Sequence, residues 1–390
     1  MSINKKLKIS SFIEINPREI LNKGVLAKKV GMDKLQPFCR DIVEYEIVKY
    51  SGGVKFRNGD TIMARITPCL ENGKTAMINI LDENEVGFGS TEYIVFRAKD
   101  EVTDPYYVFY LVCSPIVRDV AIKSMVGSSG RQRVQIDVIE NIETIFPNIE
   151  TQKKISSILK LLDDKININN KINNNLEQQA KAIFSNEFLT LEMLPDGWKQ
   201  ASLIDIADYL NGLAMQKYRP TVDETGIPVL KIKELRQGCC DDNSELCSPS
   251  IKSEYIIHDG DVIFSWSGSL LVDFWCGGIC GLNQHLFKVT SNKYNKWFCY
   301  AWTKHHLDRF IAVAADKATT MGHIKRDELS KAEVLIPNEA DYKRIETLLQ
   351  PIYDLIIANR IENKKLAETR DTLLPKLMTG EIDISEVDYE

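Results

Sequence analysis

The sequence lacks the features expected of a membrane protein, a secreted protein or a zinc protein. Its 390 residues contain no run of 18 apolar residues, so no membrane-spanning helix is expected. The segment MSINKKLKISSFIEI has no apolar core of the signal-peptide kind, which predicts a cytoplasmic protein. Nine cysteines form no C-x2-C pair, so buried free thiols are favoured over disulfides and over a zinc site.

Signatures of catalysis are also missing. The sequence has no GxxxxGK[ST] loop, which argues against the usual ATP-driven motor. It has neither the Asn/Asp-Pro-Pro-aromatic loop nor the glycine-rich cofactor turn that a DNA amino-methyltransferase needs. The chain is therefore predicted to be no enzyme and to hold no metal or cofactor of its own. The net charge of −6 decides nothing about nucleic acid, because a ligand responds to the local field.

The chain repeats itself. Each half contains a short apolar strand that ends in Pro-Asn, and a long helical pattern follows each strand. The two prolines, Pro147 and Pro337, are 337 − 147 = 190 residues apart, and the same offset relates Ile155 to Ile345. Weaker similarity includes a Gly-Asp turn before a strand in each half and a segment read as an amphipathic helix, at 107–110 and 297–300. A mixed α/β domain followed by a long helix is thus predicted twice.

The predicted boundaries follow from this repeat. They are 1–148 for the first domain, 149–187 for the first long helix, 188–338 for the second domain, 339–380 for the second long helix and 381–390 for a C-terminal tail.

The asparagine-rich stretch DDKININNKINNNLEQQ, residues 163–179, is predicted to be helical. Alternating steps of four and three from Ile155 give one apolar seam that includes Asn169 and Asn173. The same steps in the second half place Asn359 and Asn363 at the corresponding positions. Antiparallel pairing of the two helices sets Asn169 opposite Asn363 and Asn173 opposite Asn359, where paired amides would fix the register. Asparagines that face solvent on helices packed elsewhere are the open alternative.

Five segments resemble the specificity subunit of type I restriction-modification enzymes. They are PDGW at 195–198, GDVIFS at 260–265, NQHLF at 283–287, LLDDKI at 161–166 and, most clearly, LLPKLMTGEI at 373–382. The resemblance covers essentially the whole chain. It implies an α+β protein in which two mixed α/β target recognition domains are separated by two long antiparallel helices that form a coiled coil, with a pseudo-two-fold internal repeat.

This resemblance also implies a function and a set of partners. Each domain would read one half of a bipartite site in double-stranded DNA. The helices would set the spacer and dock methyltransferase subunits, two of them expected, with restriction-translocase subunits joining for cleavage. S-adenosylmethionine, ATP and magnesium are expected only on those partners. Two alternatives stay open: the recognition subunit of a type IIB-like restriction-modification system, and a coiled-coil scaffold that binds proteins through its globular ends.

Candidate DNA contacts are polar or basic residues after each Gly-Asp turn, in the loop before each long helix and, in the second domain, at 217–219. Arginine forks suit guanine, amides suit adenine, and any cation suits phosphate. The first-domain candidates are Arg65, Thr67, Lys74, Ser128, Ser129, Arg131, Gln132 and Arg133. The second-domain candidates are Lys217, Tyr218, Arg219, Ser265, Ser267, Ser269, Thr319, Thr320, His323 and Lys325. For each of them a solvated loop residue is about equally expected.

Overall fold

The structure is a computed structural model that describes residues 5–316 and 326–384. It divides into two compact units, and both boundaries between them fall within a long helix. The first unit contains the described residues up to Asn167 and those from Leu366 onward, and the second is Ile168–Lys365. Each unit therefore combines one domain with a part of both long helices.

The first domain is built from short strands and short helices. Its strands are β1 (Lys5–Lys8), β2 (Ile13–Ile15), β3 (Leu26–Val30), β4 (Glu46–Lys49), β5 (Val54–Phe56), β6 (Thr61–Ala64), β7 (Thr75–Met77), β8 (Gly87–Gly89), β9 (Tyr93–Ala98) and β10 (Glu143–Phe146). Its helices are α1 (Ile9–Phe12), α2 (Pro105–Cys113), α3 (Pro115–Lys123) and α4 (Ile136–Glu140), and the long helix α5 (Ile149–Phe184) follows.

The second domain repeats this order of strands and adds one short α-helix between the third and fourth of them. Its strands are β11 (Lys199–Ser202), β12 (Asp208–Asn211), β13 (Ile227–Leu230), β14 (Leu246–Cys247), β15 (Ile256–Ile257), β16 (Val262–Ser265), β17 (Leu271–Phe274), β18 (Cys280–Leu282), β19 (Leu286–Thr290) and β20 (Glu333–Ile336). Its helices are α6 (Leu203–Ile206), α7 (Ile232–Gln237), α8 (Lys296–His305), α9 (Leu307–Asp316) and α10 (Arg326–Ser330), and the long helix α11 (Glu339–Thr379) follows.

The sheet topology of the two domains is the same. In the first domain the sheets have the orders β1-β10, β2-β9-β6-β7 and β4-β3-β8-β5. In the second domain they are β11-β20, β12-β19-β16-β17 and β14-β13-β18-β15, so every strand is replaced by the one ten places later. The one parallel pairing in each described domain, β3 with β8 and β13 with β18, also corresponds. Identical topology identifies a duplicated module even where the sequences differ.

The repeated Pro-Asn marks the junction between the last strand and the long helix. Asn148 accepts a hydrogen bond at its Oδ1 from the Thr151 amide at 2.8 Å, and Asn338 accepts one from the Asp341 amide at 2.9 Å. Each asparagine is therefore the N-cap of its helix, which satisfies an amide that has no partner within the helix. The preceding proline cannot donate to a strand ladder, so it ends the strand.

The asparagine-rich stretch is helical throughout, and its seam asparagines are buried. Asn169 Nδ2 donates to Asn363 Oδ1 at 2.8 Å, and Asn359 Nδ2 donates to Asn173 Oδ1 at 2.8 Å. Because the residue number rises along one helix as it falls along the other, the segments of α5 and α11 in the second unit run antiparallel. In the first unit Asp163 Oδ1 of α5 lies 2.7 Å from Arg370 Nη1 of α11, so the two helices are in contact there as well.

Each unit has its own hydrophobic core. The first domain packs against Ile155 and Leu159 of α5 and against Leu374, Leu377 and Met378 of α11. Helices α2 and α8, predicted to be amphipathic, are instead buried on nearly all sides, with every residue from 107 to 112 and from 297 to 303 in the interior. The amphipathic interpretation was wrong because each of these short helices is covered by a sheet and by neighbouring helices, which leaves it no solvent face.

Candidate nucleic-acid interface

The first-domain candidates cluster around a tight loop between α3 and α4. Val126 and Arg133 exchange backbone hydrogen bonds at 2.9 and 3.0 Å, which closes the loop like a small hairpin. Gly127 has φ +137°, and a Cβ there would lie 3.0 Å from the Arg131 carbonyl oxygen, so glycine is needed for this closure. This candidate loop is therefore a turn closed by backbone hydrogen bonds, with a basic tip.

This loop is tied to the end of strand β6. The Thr67 amide donates to the Gln132 carbonyl at 3.1 Å, and the Val134 amide donates to the Arg65 carbonyl at 2.9 Å. The Thr67 hydroxyl also donates to the Gln132 carbonyl, at 3.3 Å. These hydrogen bonds bring together Arg65, Thr67, Gln132 and Arg133, which come from the two candidate segments. The Thr67 hydroxyl takes part in this connection.

Glu92, which the sequence interpretation missed, binds the arginines of this cluster. Its carboxylate accepts hydrogen bonds from Arg133 Nε at 2.9 Å and from Arg133 Nη2 at 2.7 Å, and it lies 3.8 Å from Arg65 Nε. The hydrogen bond from Arg133 lowers the pKa of Glu92, so the carboxylate is ionised at neutral pH. An acidic residue before a strand has no local pattern that links it to a loop 40 residues later.

The other first-domain candidates differ in their exposure and in the hydrogen bonds of their side chains. Arg131, Ser128 and Ser129 are exposed at the tip of the loop. Lys74 instead donates from Nζ to the Met32 carbonyl at 2.7 Å and is half-buried, so its ammonium group serves the fold. The exposed tip is the part of this cluster that a phosphate reaches most easily.

Two second-domain candidates are buried. Ser265 is fully buried, and its hydroxyl donates to the Ser269 carbonyl at 2.8 Å. Ser267 is 2% exposed, with its hydroxyl 3.1 Å from Nδ1 of His285. Both hydroxyls stabilise the turn after β16, so burial counts against direct DNA contact by Ser265 and Ser267, and that assignment stays a prediction. Ser269 is exposed, and its carbonyl accepts the bond from Ser265.

The remaining second-domain candidates fall into two groups. Lys217, Tyr218 and Arg219 are consecutive and exposed at the end of a short 3-10 turn. Thr319, Thr320, His323 and Lys325 lie outside the described residues. Near the turn after β16, Trp266 donates from Nε1 to Asn211 Oδ1 at 3.0 Å and stacks at a tilt on Phe287. That tryptophan presents a planar, half-buried ring at the end of the sheet.

The repeated Gly-Asp turns are structural anchors in both domains. Asp60 is 1% exposed and accepts two hydrogen bonds of 2.7 Å from Arg97, and burial raises its pKa. Asp261 is bound by Lys288 and Lys296, each at 2.9 Å. Burial alone would raise the pKa of Asp261, but the two ammonium groups and the His258 amide lower it. Each carboxylate joins its turn to the strand or helix that carries the cation.

The described residues contain neither a metal site nor a membrane span. Within residues 5–316 and 326–384, no cluster of three His, Cys, Asp or Glu side chains is arranged to hold a metal ion. Over the same ranges no helix combines the length and the apolar character that a membrane span requires.

Comparison with known proteins gives matches along most of the chain. The model of the type I restriction modification DNA specificity domain matches residues 2–178 and again residues 195–368. The MjaIX type I restriction enzyme specificity subunit of Methanocaldococcus jannaschii is 26% identical, over 74% of this chain and 71% of that protein. The HindI specificity subunit of Haemophilus influenzae is 22% identical, over 84% and 87%. The solved type I S subunit from M. genitalium aligns over 98% of this chain and 96% of its own, at a TM-score of 0.56 and 13% identity, which shows a shared fold.

Proposed function

The chain belongs to the type I restriction-modification DNA specificity family, and from this premise we propose that each domain reads one half of a bipartite site in double-stranded DNA. The observation that carries the proposal is the duplication. The family model matches both halves, and both domains have the same ten-strand topology. Because their loops differ in sequence and geometry, the two half-sites need not be the same.

The paired helices are proposed to set the number of base pairs between the half-sites. Helices α5 and α11 contain 36 and 41 residues, which correspond to about 54 and 62 Å of helix. The pairs Asn169–Asn363 and Asn173–Asn359 oppose a slipped register, because a slip would bury amides without partners. Helix length, rather than the domains, would then determine the spacer.

The helices are also proposed to dock the methyltransferase subunits. Helix α5 exposes Ile168 and Ile172 to 52% and 40%, and their spacing of four residues places them on one face. An apolar face of this kind on a charged helix is suited to a protein partner. We propose that the chain itself is not catalytic, and that S-adenosylmethionine, ATP and magnesium are bound by the methyltransferase and restriction-translocase subunits. This function would place it in the cytoplasm with the DNA.

Selection from a random duplex pool tests the proposal. The chain is purified with the methyltransferase encoded beside it, and the bound DNA is sequenced. We expect enrichment of two short half-sites at a constant separation, and replacing residues 199–335 by the equivalent segment of another family member should change one half-site only. Absence of any enrichment with the partner present would favour the protein-binding scaffold instead. A partner polypeptide that both cuts and methylates would identify a type IIB-like system.

A second experiment tests the role of the helices. Insertion of one heptad into both α5 and α11 lengthens each helix by about 10 Å, or about three base pairs of duplex. We expect a longer spacer between unchanged half-sites. The matched control replaces one heptad by another with the same seam residues, and it should leave the spacer as it was. An unaltered spacer in the insertion variant would contradict the proposed role.

A further inference from the structure

The arrangement of Glu92 and Arg133 has a specific geometry. Arg133 uses Nε and Nη2 against the two carboxylate oxygens, which is the side-on, bidentate form of the arginine–carboxylate pair. A guanidinium group carries five N–H donors in one plane, so this pair leaves the end-on edge, formed by Nη1 and Nη2, with donors available. The Arg133 side chain is 45% exposed and the Glu92 side chain is 23% exposed. Glu92 immediately precedes strand β9, which begins at Tyr93.

The end-on edge of an arginine held in this way matches the major-groove edge of guanine, whose N7 and O6 are both acceptors. We propose that Arg133 reads a guanine in the half-site of the first domain, and that Glu92 is the positioning residue that holds the fork in place. The inference rests on the proposed function, and it names one base and one pair of residues within that function.

The carboxylate also distinguishes a base edge from a phosphate. The negative charge of Glu92 would repel a phosphate that approached Arg133. The edge of guanine carries no net charge and would not be repelled in this way. Arg131 differs from Arg133, because it is exposed at the loop tip and no carboxylate of the described chain lies within ion-pairing distance of it. Arg131 is therefore assigned to a phosphate, which adds affinity without sequence information.

Arg65 supports the same arrangement from the other side. Its Nε is buried, has no hydrogen-bond partner among the described residues, and lies 3.8 Å from Glu92. A second positive charge at this distance favours the ionised form of Glu92 even when Arg133 engages a base. Glu92 can then keep the orientation of Arg133 in the complex with DNA.

The test uses the full chain with its methyltransferase partner and measures base preference by selection from randomised half-sites. Arg133→Met removes the planar fork and all of its hydrogen-bond donors but keeps an unbranched side chain. We expect it to reduce the preference for guanine at one position of the first half-site by roughly 5- to 150-fold, the range for one bidentate base contact. Glu92→Gln should weaken the preference at the same position and tighten binding to non-target DNA. Arg131→Ala should lower affinity for all sequences equally and reduce the salt slope by about one.

The second half-site is the internal control, because its recognition should be the same in every variant. A guanine preference that survives in Arg133→Met would overturn the inference, and so would a Glu92→Gln effect spread evenly over all positions. If Glu92→Gln failed to fold, the Arg133→Met result would still decide whether Arg133 reads the guanine. Failure of the wild-type complex to select any bipartite site would refute the proposed function itself, which is a distinguishable outcome.

Discussion

Replacing Asn173 alone by leucine should lower the melting temperature of the second unit, whereas replacing Asn173 and Asn359 together should not. The two side chains are 5% and 8% exposed and share a hydrogen bond of 2.8 Å. In the single variant the Asn359 amide keeps its buried position but loses its acceptor. An orphaned buried polar group of this kind costs about 1–3 kcal/mol.

The magnitude of the coupling follows from a double-mutant cycle. Each single variant leaves one buried amide without the hydrogen bond that joins Asn173 and Asn359, and the double variant leaves none. The gain from each buried leucine cancels in the cycle. The coupling should therefore reach roughly 2 kcal/mol or more. For a unit of about 200 residues this corresponds to about 4–8 °C in melting temperature.

The assay is differential scanning calorimetry of the wild type, the two single variants and the double variant. Asn174→Leu serves as the matched control, because Asn174 is an exposed asparagine on the same helix and its replacement should change little. Additive shifts, with no coupling between Asn173 and Asn359, would refute the reasoning that these amides depend on each other.

Three other predictions concern stability. Asn148→Ala removes the N-cap of α5 and should destabilise the first unit by about 1 kcal/mol, which calorimetry would detect as a shift of a few degrees. Arg97→Met leaves the buried Asp60 carboxylate unpaired and should cost about 3–5 kcal/mol, most of it recovered when Asp60→Asn is added; a persistent loss in the double variant would contradict this. The pKa of Asp261 is lowered in the folded protein from 3.8, so its contribution is present above that pH and declines as the pH falls below it. Lys288→Met should reduce stability at pH 7 and flatten this acid dependence in urea titrations.

Much of the fold follows from local patterns in the sequence. The Pro-Asn junctions predicted where a strand ends and a long helix begins, because proline stops a ladder and asparagine caps a helix. The heptad positions of Asn169 and Asn173 predicted a buried seam, because low complexity alone would not repeat the same spacing in both halves.

The parts that the sequence did not predict depend on contacts between distant residues. The parallel pairing of β3 with β8 joins segments separated by four other strands, so no local signal specifies it. Ser265 was a candidate DNA contact because serine is polar. All four residues of β16 are buried, however, and Ser265 is the last of them. Glu92 was missed because its significance arises only when the loop of Arg133 folds against β6.

The contribution of α11 to the first core has a consequence for biosynthesis. Leu374, Leu377 and Met378 belong to the interior of the unit that begins at the opposite end of the polypeptide. During translation the ribosome releases every residue of the second unit before these three side chains emerge. The module that is synthesised first is therefore completed last, and until then its apolar surface is exposed to chaperones, proteases and neighbouring nascent chains.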